Sequence, residues 1–240
     1  MYNYVEKDLP TYIKLNSYQD KSIACVIPTR GSVDVEVIDS WFKLITPVNQ
    51  KFSKLFIANG EIADAYNTGI LLVLNNPTLS KCRFLLTMED DNLPPQDGIL
   101  KLIDSMIEHE NNGDKYWAIS GVYWTKPSRD CIEHAPIAWG CVEDGEWNMK
   151  APPLKEDGSV TQCCLIPQGF TLYDLDLFRK MEYPWFKVVE WHPHNEGIDN
   201  EPAQTQDSYF FKKVWEAGLK VGIRADVKVG HLDPKTKQIW

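Results

Sequence analysis

Three strand-like apolar runs alternate with three segments of helical periodicity in the first half of this sequence, and no other feature constrains the fold as much. The apolar runs are residues 22–28, 54–59 and 83–88, and the helical segments are 33–45, 62–74 and 96–109. Strands that alternate with helices usually pair in parallel, because each helix carries the chain back across a face of the sheet. The pattern predicts an α/β fold whose central, mostly parallel sheet is flanked by helices.

The second half of the sequence departs from this alternation. A fourth strand is expected at 116–124, and short strand-like pieces separated by proline, glycine and acidic turns follow over 125–164. Beyond them we expect a strand at 168–173 with a short helix after it, a long polar loop at 183–204, a helix at 206–217, and short strands at 221–224 and 227–229. The length of 240 residues suits one domain over 1–240, with a ligand-binding half at about 22–124 and a mixed half at about 125–240.

Three consecutive acids, Glu89, Asp90 and Asp91, directly follow the third apolar run and precede Pro94 and Pro95. Adjacent carboxylates repel one another, and a divalent cation with oxygen ligands would relieve that repulsion. The acids stand at the carboxyl end of a predicted strand, which is where open α/β sheets bind ligands. The triplet therefore indicates a cation site, although a solvated acidic turn before a helix explains the spacing equally well.

Composition excludes several classes of function. A formal net charge of -9 argues against an extended nucleic-acid-binding surface. The N-terminus shows no basic region followed by an apolar run, and no segment reaches transmembrane length, so we expect a cytoplasmic protein without a membrane span. None of the six cysteines forms a CxxC pair, which favours reduced thiols.

Four sequence blocks, taken in order, resemble the inverting, family 2-like glycosyltransferases of the GT-A fold, close to small viral or bacterial members. The blocks are IPTRG at 27–31, IADAYNTG at 62–69, MEDDNLPP at 88–95, and TQDSYF at 205–210 with Gly230 and His231. The resemblance implies a Rossmann-type sheet with a mixed acceptor-side subregion. It also implies a nucleoside-diphosphate sugar as donor, a UDP-sugar above all, with Mn²⁺ or Mg²⁺ as cofactor. A viral member would act in the host cytoplasm.

The resemblance assigns the family's DxD-type metal motif to the acidic triplet. Asp91 is expected to ligate the metal, with Asp90 or Glu89 contacting the metal or the ribose. His231 would complete the coordination, although a lone histidine is also an ordinary surface or core residue, and His192 and His194 are alternative ligands. The resemblance also implies donor contacts from residues in or near the loops after the first two strands, from the IADAYNTG block and from a later glycine turn: Pro28, Thr29, Arg30, Asn59, Asp64, Asn67 and Gly169. Tyr66 stands where the family commonly has arginine.

Asp207 is the candidate general base, because inversion needs a carboxylate that takes the proton of the acceptor hydroxyl. The alternative is that Asp207 only caps the helix that starts there. Trp191, Trp185 and Trp124 are candidate acceptor platforms, although each could equally be a core residue. The acceptor could be a glycan, a protein or a modified base in viral DNA, where a flipped base needs only a local pocket.

Two other functions remain open at this point. A sugar nucleotidyltransferase also uses an α/β sheet and a carboxylate-bound metal, but it would normally show a longer, glycine-rich loop than the one containing Arg30 and Gly31. A non-catalytic carbohydrate-binding protein with a degenerate site is favoured by Glu89 and Gln206, which depart from the family's usual aspartate and acid pair.

Overall fold

The computed structural model describes residues 19–58, 60–125, 135–136, 147, 151–189 and 204–240. The helices are α1 (Val35–Phe42), α2 (Ile62–Asn75), α3 (Gly98–Asn111), α4 (Asp176–Lys180) and α5 (Gln206–Glu216), with a 3-10 helix at Leu79–Lys81. The main-sheet strands are β1 (Ile23–Thr29), β2 (Phe52–Ala58), β3 (Phe84–Met88), β5 (Ala118–Val122), β8 (Thr161–Cys163), β9 (Phe170–Asp174) and β10 (Val221–Lys228). Two short pairs lie outside this sheet: β4 (Asn92–Leu93) with β11 (Gly230–His231), and β6 (Trp124–Thr125) with β7 (Ala135–Pro136).

A seven-stranded sheet in the order β2-β1-β3-β9-β5-β10-β8 forms the centre of the molecule. β1 pairs in parallel with both β2 and β3, and β5 pairs in parallel with β10. β9 runs antiparallel between β3 and β5, and β8 runs antiparallel at the far edge. Five of the seven strands therefore point the same way, which confirms the predicted α/β class and its mostly parallel sheet.

The central strands are buried on both faces, which explains why they appear in the sequence as continuous apolar runs. On β1, Ala24 and Val26 face the layer that contains α2, whereas Ile23 and Cys25 face the layer that contains α1 and α3. Two hydrophobic cores result, one on each side of the sheet. The described cysteines are all buried: Cys25, Cys82, Cys163 and Cys164.

One predicted boundary is wrong. The two short strands expected at 221–224 and 227–229 are a single strand, β10, with an irregular register between Ile223 and Lys228. Arg224 and Asp226 interrupt the apolar pattern because Arg224 donates to Lys101 O and Ser105 Oγ of α3 at 2.8 and 2.9 Å, and pairs with Asp226 at 2.8 Å. At these two positions of β10, polar contacts with α3 and the Arg224–Asp226 ion pair thus replace apolar packing.

The described helices include none with the length and apolar character that crossing a bilayer requires. The predicted loop at 183–204 is described only at 183–189 and at Gln204, which exchanges two backbone hydrogen bonds of 2.9 Å with Val189. The parallel strands β1, β2 and β3 end at one edge of the sheet, and the candidate site lies there.

Candidate functional site

A cleft of about 380 Å³ opens where β1, β2 and β3 end. Each strand contributes the residues that follow or end it, and the lining consists of Pro28, Thr29, Arg30, Gly60, Glu61, Ile62, Glu89, Asp90 and Asp91. Six of these nine residues are ones that the sequence predicted for the donor or the metal. The strand order explains their meeting, since β1 lies between β2 and β3 with all three pointing the same way.

Arg30 binds two of the three acids. Its backbone N–H and its Nη2 donate to the two carboxylate oxygens of Asp90 at 2.9 and 2.7 Å, and Nη2 also donates to Asp91 Oδ2 at 3.2 Å. These charges raise the pKa of Arg30, chiefly through the hydrogen bond to Asp90. Asp90 is therefore the main partner of Arg30, and it also lines the cleft.

Asp91 keeps one oxygen open toward His231. Its Oδ1 is buried without a hydrogen-bond partner among the described residues and lies 3.9 Å from His231 Nε2. β11 carries His231 to this position by pairing with β4, and Leu232 N–H donates to Asp91 O at 2.8 Å. Burial raises the pKa of Asp91, while His231 and Arg30 act to lower it.

This pair fits a divalent cation, although it is not a complete protein cage. A carboxylate oxygen suits both Mn²⁺ and Mg²⁺, but an imidazole nitrogen suits a transition metal better than Mg²⁺, so this pair favours Mn²⁺ of the two; Mg²⁺ often binds through one or two carboxylates together with substrate phosphates. Within the described ranges, no group of three or more His, Cys, Asp or Glu side chains is arranged to hold a metal ion. Substrate oxygens and water would have to supply the remaining ligands.

Glu89 occupies a different environment from the other two acids. Its Oε1 accepts a hydrogen bond of 2.7 Å from Tyr66 Oη, and its backbone N–H donates to Gly169 O at 3.0 Å. Burial, and then the charge of Asp91, raise the pKa of Glu89 to about 7. Tyr66 thus replaces the family's arginine with a neutral donor, and its ring lies against Phe186, with centroids 5.2 Å apart.

Asp207 lies in the first turn of α5. Its Oδ1 accepts hydrogen bonds from Thr205 Oγ1 and from the backbone N–H of Ser208, the latter at 2.9 Å. Its charge also contributes to the raised pKa of Glu89, so the two carboxylates are within electrostatic reach of each other. Asp207 therefore satisfies a backbone N–H in the first turn of α5, where the N-cap residue is Thr205, and it also lies within electrostatic reach of Glu89.

Sequence reasoning missed three polar or aromatic residues of this region. Tyr123 is buried, and its ring lies 5.3 Å from that of His231. Burial, and then the charges of Glu89 and Asp207, raise the pKa of Tyr123 well above the usual range.

The side-chain amides of Asn92 and Gln168 are buried without partners among the described residues. An added Cβ on Gly169 would lie 2.0 Å from Asn92 Oδ1, so Asn92 packs directly on that glycine. Asn92 had a visible signal, because it follows the acid triplet immediately.

Several predicted contacts are wrong or fall elsewhere. Asn67 is a structural residue, because its amide donates to Phe186 O at 2.8 Å and accepts from Phe186 N–H at 3.1 Å. Asp64 is exposed on α2 and does not line the cleft. Trp185 is only 4% exposed and its Nε1 donates to Phe178 O and Met181 O at 3.0 and 3.1 Å, so it is a core residue and not a platform.

Trp124 is partly buried and packs against the core cluster on the α2 side of the sheet. Four predicted residues lie outside the described part of the chain: Asn59, Trp191, His192 and His194.

Comparison with known proteins finds likeness in structure alone. No family model matches the sequence, and no curated protein matches it either. The solved structure of A197 from STIV is similar with a TM-score of 0.59 at 16% identity, over 91% of this chain and 92% of that chain. TarS from S. aureus in complex with UDP-GlcNAc gives a TM-score of 0.46 at 12% identity, over 87% of this chain and 57% of that chain. The likeness to A197 shows that this chain has a GT-A-like fold.

Proposed function

We propose that this chain is a metal-dependent glycosyltransferase that transfers a sugar from a UDP-sugar to an acceptor hydroxyl group, with inversion at the anomeric carbon. One observation carries the proposal. Asp91 Oδ1 is buried without a hydrogen-bond partner among the described residues and lies 3.9 Å from His231 Nε2, and Asp91 lines the same cleft as Arg30. A nucleoside diphosphate needs cationic partners. Arg30, together with a metal ion held by Asp91 and His231, would supply them.

The donor would occupy the cleft at the ends of β1, β2 and β3. Pro28 and Thr29 offer an apolar wall and a hydroxyl for the nucleoside, and Arg30 offers a guanidinium for the diphosphate. Mn²⁺ or Mg²⁺ bound by Asp91 and His231 would neutralise the charge that develops on the leaving diphosphate. Glu89 and its partner Tyr66 close the inner end of this group.

Asp207 is assigned as the general base. Both of its described hydrogen bonds fall on Oδ1, which leaves Oδ2 to take the proton of the acceptor hydroxyl. The acceptor oxygen then forms a bond to the anomeric carbon as the bond from that carbon to the diphosphate oxygen breaks, and the electron pair leaves with the nucleoside diphosphate. A single carboxylate on the acceptor side suits this one-step displacement, which inverts the anomeric centre.

A donor panel tests the proposal directly. We expect release of UDP from one of UDP-glucose, UDP-N-acetylglucosamine or UDP-galactose, in the presence of Mn²⁺ but not of EDTA, and no release of GDP from GDP-mannose. Asp91→Asn should abolish the Mn²⁺-dependent release of nucleoside diphosphate. Asp64→Asn, the same chemical change on the exposed face of α2, should leave that release unchanged. Release of pyrophosphate would instead identify a nucleotidyltransferase, and binding without turnover of any donor would identify a carbohydrate-binding protein.

A further inference from the structure

His231 lacks the side-chain partner that usually fixes a metal-binding histidine. The second ring nitrogen of such a residue normally donates to a carboxylate, carbonyl or water, and this contact sets the orientation of the ring. His231 Nδ1 is buried without a hydrogen-bond partner among the described residues. The ring of Tyr123 lies near the imidazole, with ring centroids 5.3 Å apart. Among the described residues, the hydrogen bonds that hold His231 are those of its backbone.

The backbone of His231 is held from both sides. On one side, β11 pairs with β4, opposite Asn92. On the other side, His231 N–H donates to Trp240 O at 3.2 Å and Trp240 N–H donates to His231 O at 3.0 Å. His231 is thus the middle residue of a small three-stranded arrangement whose third member comes from the last residues of the sequence.

Residues 232–240 form a C-terminal hairpin that brings Trp240 to this position. Asp233 N–H donates to Gln238 O at 2.8 Å, and Lys237 N–H donates to Asp233 O at 2.8 Å. The Asp233 carboxylate accepts from the backbone N–H groups of Lys235 and Thr236 at 2.8 and 3.3 Å. Lys237 adopts a left-handed conformation with φ of 58°, which a non-glycine residue holds only where its surroundings fix it.

The hairpin has a second attachment, at the loop after β1. Lys237 Nζ forms an ion pair with Asp34 Oδ1, three positions beyond Gly31 and immediately before α1. The same loop carries Arg30, which binds Asp90 and Asp91. The hairpin therefore touches the backbone of one proposed metal ligand and the loop that holds the other.

We propose that the C-terminal hairpin is a positioning element of the donor site, which fixes His231 for a divalent cation and ties it to the Arg30 loop. This inference rests on the proposed function, because it assigns the hairpin to the cation site at Asp91 and His231. It extends the site to residues 232–240, which contribute no ligand of their own.

The main test compares two substitutions of Trp240 by their affinity for Mn²⁺ alone, measured by calorimetry or by the electron paramagnetic resonance of free Mn²⁺. Trp240→Ala removes the indole and keeps the N–H that donates to His231 O, whereas Trp240→Pro removes both. Loss of a group that orients a metal ligand typically weakens metal binding by about 10- to 100-fold, so we expect Trp240→Pro to bind Mn²⁺ about 10-fold more weakly than Trp240→Ala. Equal affinity of the two variants would overturn the proposal.

A charge-reversal cycle tests the second attachment. Lys237→Asp and Asp34→Lys should each weaken Mn²⁺ binding by about threefold, the scale of a surface ion pair, and the double variant should recover most of the loss. Lys235→Asp, which makes the same charge change in the same exposed turn, should stay at wild-type affinity. A double variant as weak as the sum of its parts would argue that the ion pair does not position the site.

Two reference variants separate failure of this inference from failure of the proposed function. If wild-type protein binds no Mn²⁺ either alone or with UDP, or if His231→Ala and Asp91→Asn bind it like wild type under both conditions, the metal site itself is wrong and the hairpin proposal falls with it. If both reference variants lose Mn²⁺ while the hairpin variants keep it, the metal site stands and the hairpin has no part in it. Urea unfolding of each variant checks that the affinity compared is that of folded protein.

Discussion

Replacing Glu89 by glutamine should stabilise the metal-free protein. The carboxylate accepts a hydrogen bond from Tyr66 Oη at 2.7 Å, but its burial and the neighbouring charge of Asp91 outweigh that contact. Glutamine has nearly the same shape and keeps a carbonyl oxygen for Tyr66. The substitution therefore removes a partly buried negative charge while leaving the packing and the main hydrogen bond in place.

The expected gain follows from the pKa. In the folded protein, the pKa of Glu89 rises from 4.5 to about 7. Since one pKa unit corresponds to about 1.4 kcal/mol, ionised Glu89 destabilises the folded state by about 3 kcal/mol. A free-energy change of this size is a large part of the total stability of a typical domain, which is about 5–15 kcal/mol.

The sign of the pH dependence is fixed by which state releases its proton first. Below pH 4.5 both states keep Glu89 protonated, and the wild type and Glu89→Gln should be equally stable with respect to this group. As the pH rises from 4.5 to about 7, the unfolded chain releases the proton and the folded protein retains it, so the wild type loses stability relative to the variant. Above about pH 7 the difference is constant.

Urea unfolding in EDTA at several pH values between about 5 and 8.5 measures this difference through the midpoint at constant slope. Glu108→Gln, on the exposed face of α3, is the matched control and should change the unfolding free energy by less than about 0.5 kcal/mol at every pH. The reasoning would be refuted if the Glu89→Gln variant were no more stable than wild type at about pH 8 while the urea dependence of the unfolding free energy stayed unchanged. If the charge serves the donor site, the stabilised variant should also release less nucleoside diphosphate.

Three further substitutions test separate parts of the site and the fold. Asp207→Asn should lower transfer by about 100-fold or more while UDP affinity, measured by calorimetry, stays within about twofold, and unchanged transfer would remove Asp207 as the base. Gly169→Ala places a Cβ 2.0 Å from Asn92 Oδ1. It should therefore lower the unfolding free energy by about 1–3 kcal/mol, and wild-type stability would contradict this close approach. Trp185→Ala should destabilise by about 3–5 kcal/mol in chemical denaturation because the indole is buried, whereas a folded variant of normal stability that loses only acceptor affinity would restore Trp185 as a platform.

The first half of the fold was predictable because burial on both faces gives parallel strands a distinctive sequence. β1 and β3 contain almost no polar residues, and the break in that pattern at Glu89 marks the end of β3 and one wall of the cleft. The insertion of β9 between β3 and β5, antiparallel to both, was not predictable, because no local pattern encodes which strands become neighbours.

Aromatic and amide residues were the least predictable part of the site. Trp185 lies in a polar, proline-containing stretch, which is typical of an exposed platform, but its ring packs edge-on against Phe178 at 5.6 Å. Asn67 lies in a block that resembles the family's donor motif, but its amide pairs with the backbone of Phe186, 119 positions away. Tertiary contacts determine the roles of Trp185 and Asn67. The spacing of residues within one segment of sequence does not reveal such contacts.

The acidic triplet shows how adjacent, similar side chains acquire different roles through their partners. Asp90 has both oxygens bound by Arg30, so its charge is compensated inside the protein. Glu89 accepts a hydrogen bond from a neutral donor, Tyr66, which does not compensate its charge, so burial raises the pKa of Glu89. Asp91 alone combines partial compensation by Arg30 with a buried oxygen that has no partner in the described structure. The sequence left the register of the metal motif open at Glu89, and these contacts favour Asp91 as the carboxylate with an oxygen left to give to a cation.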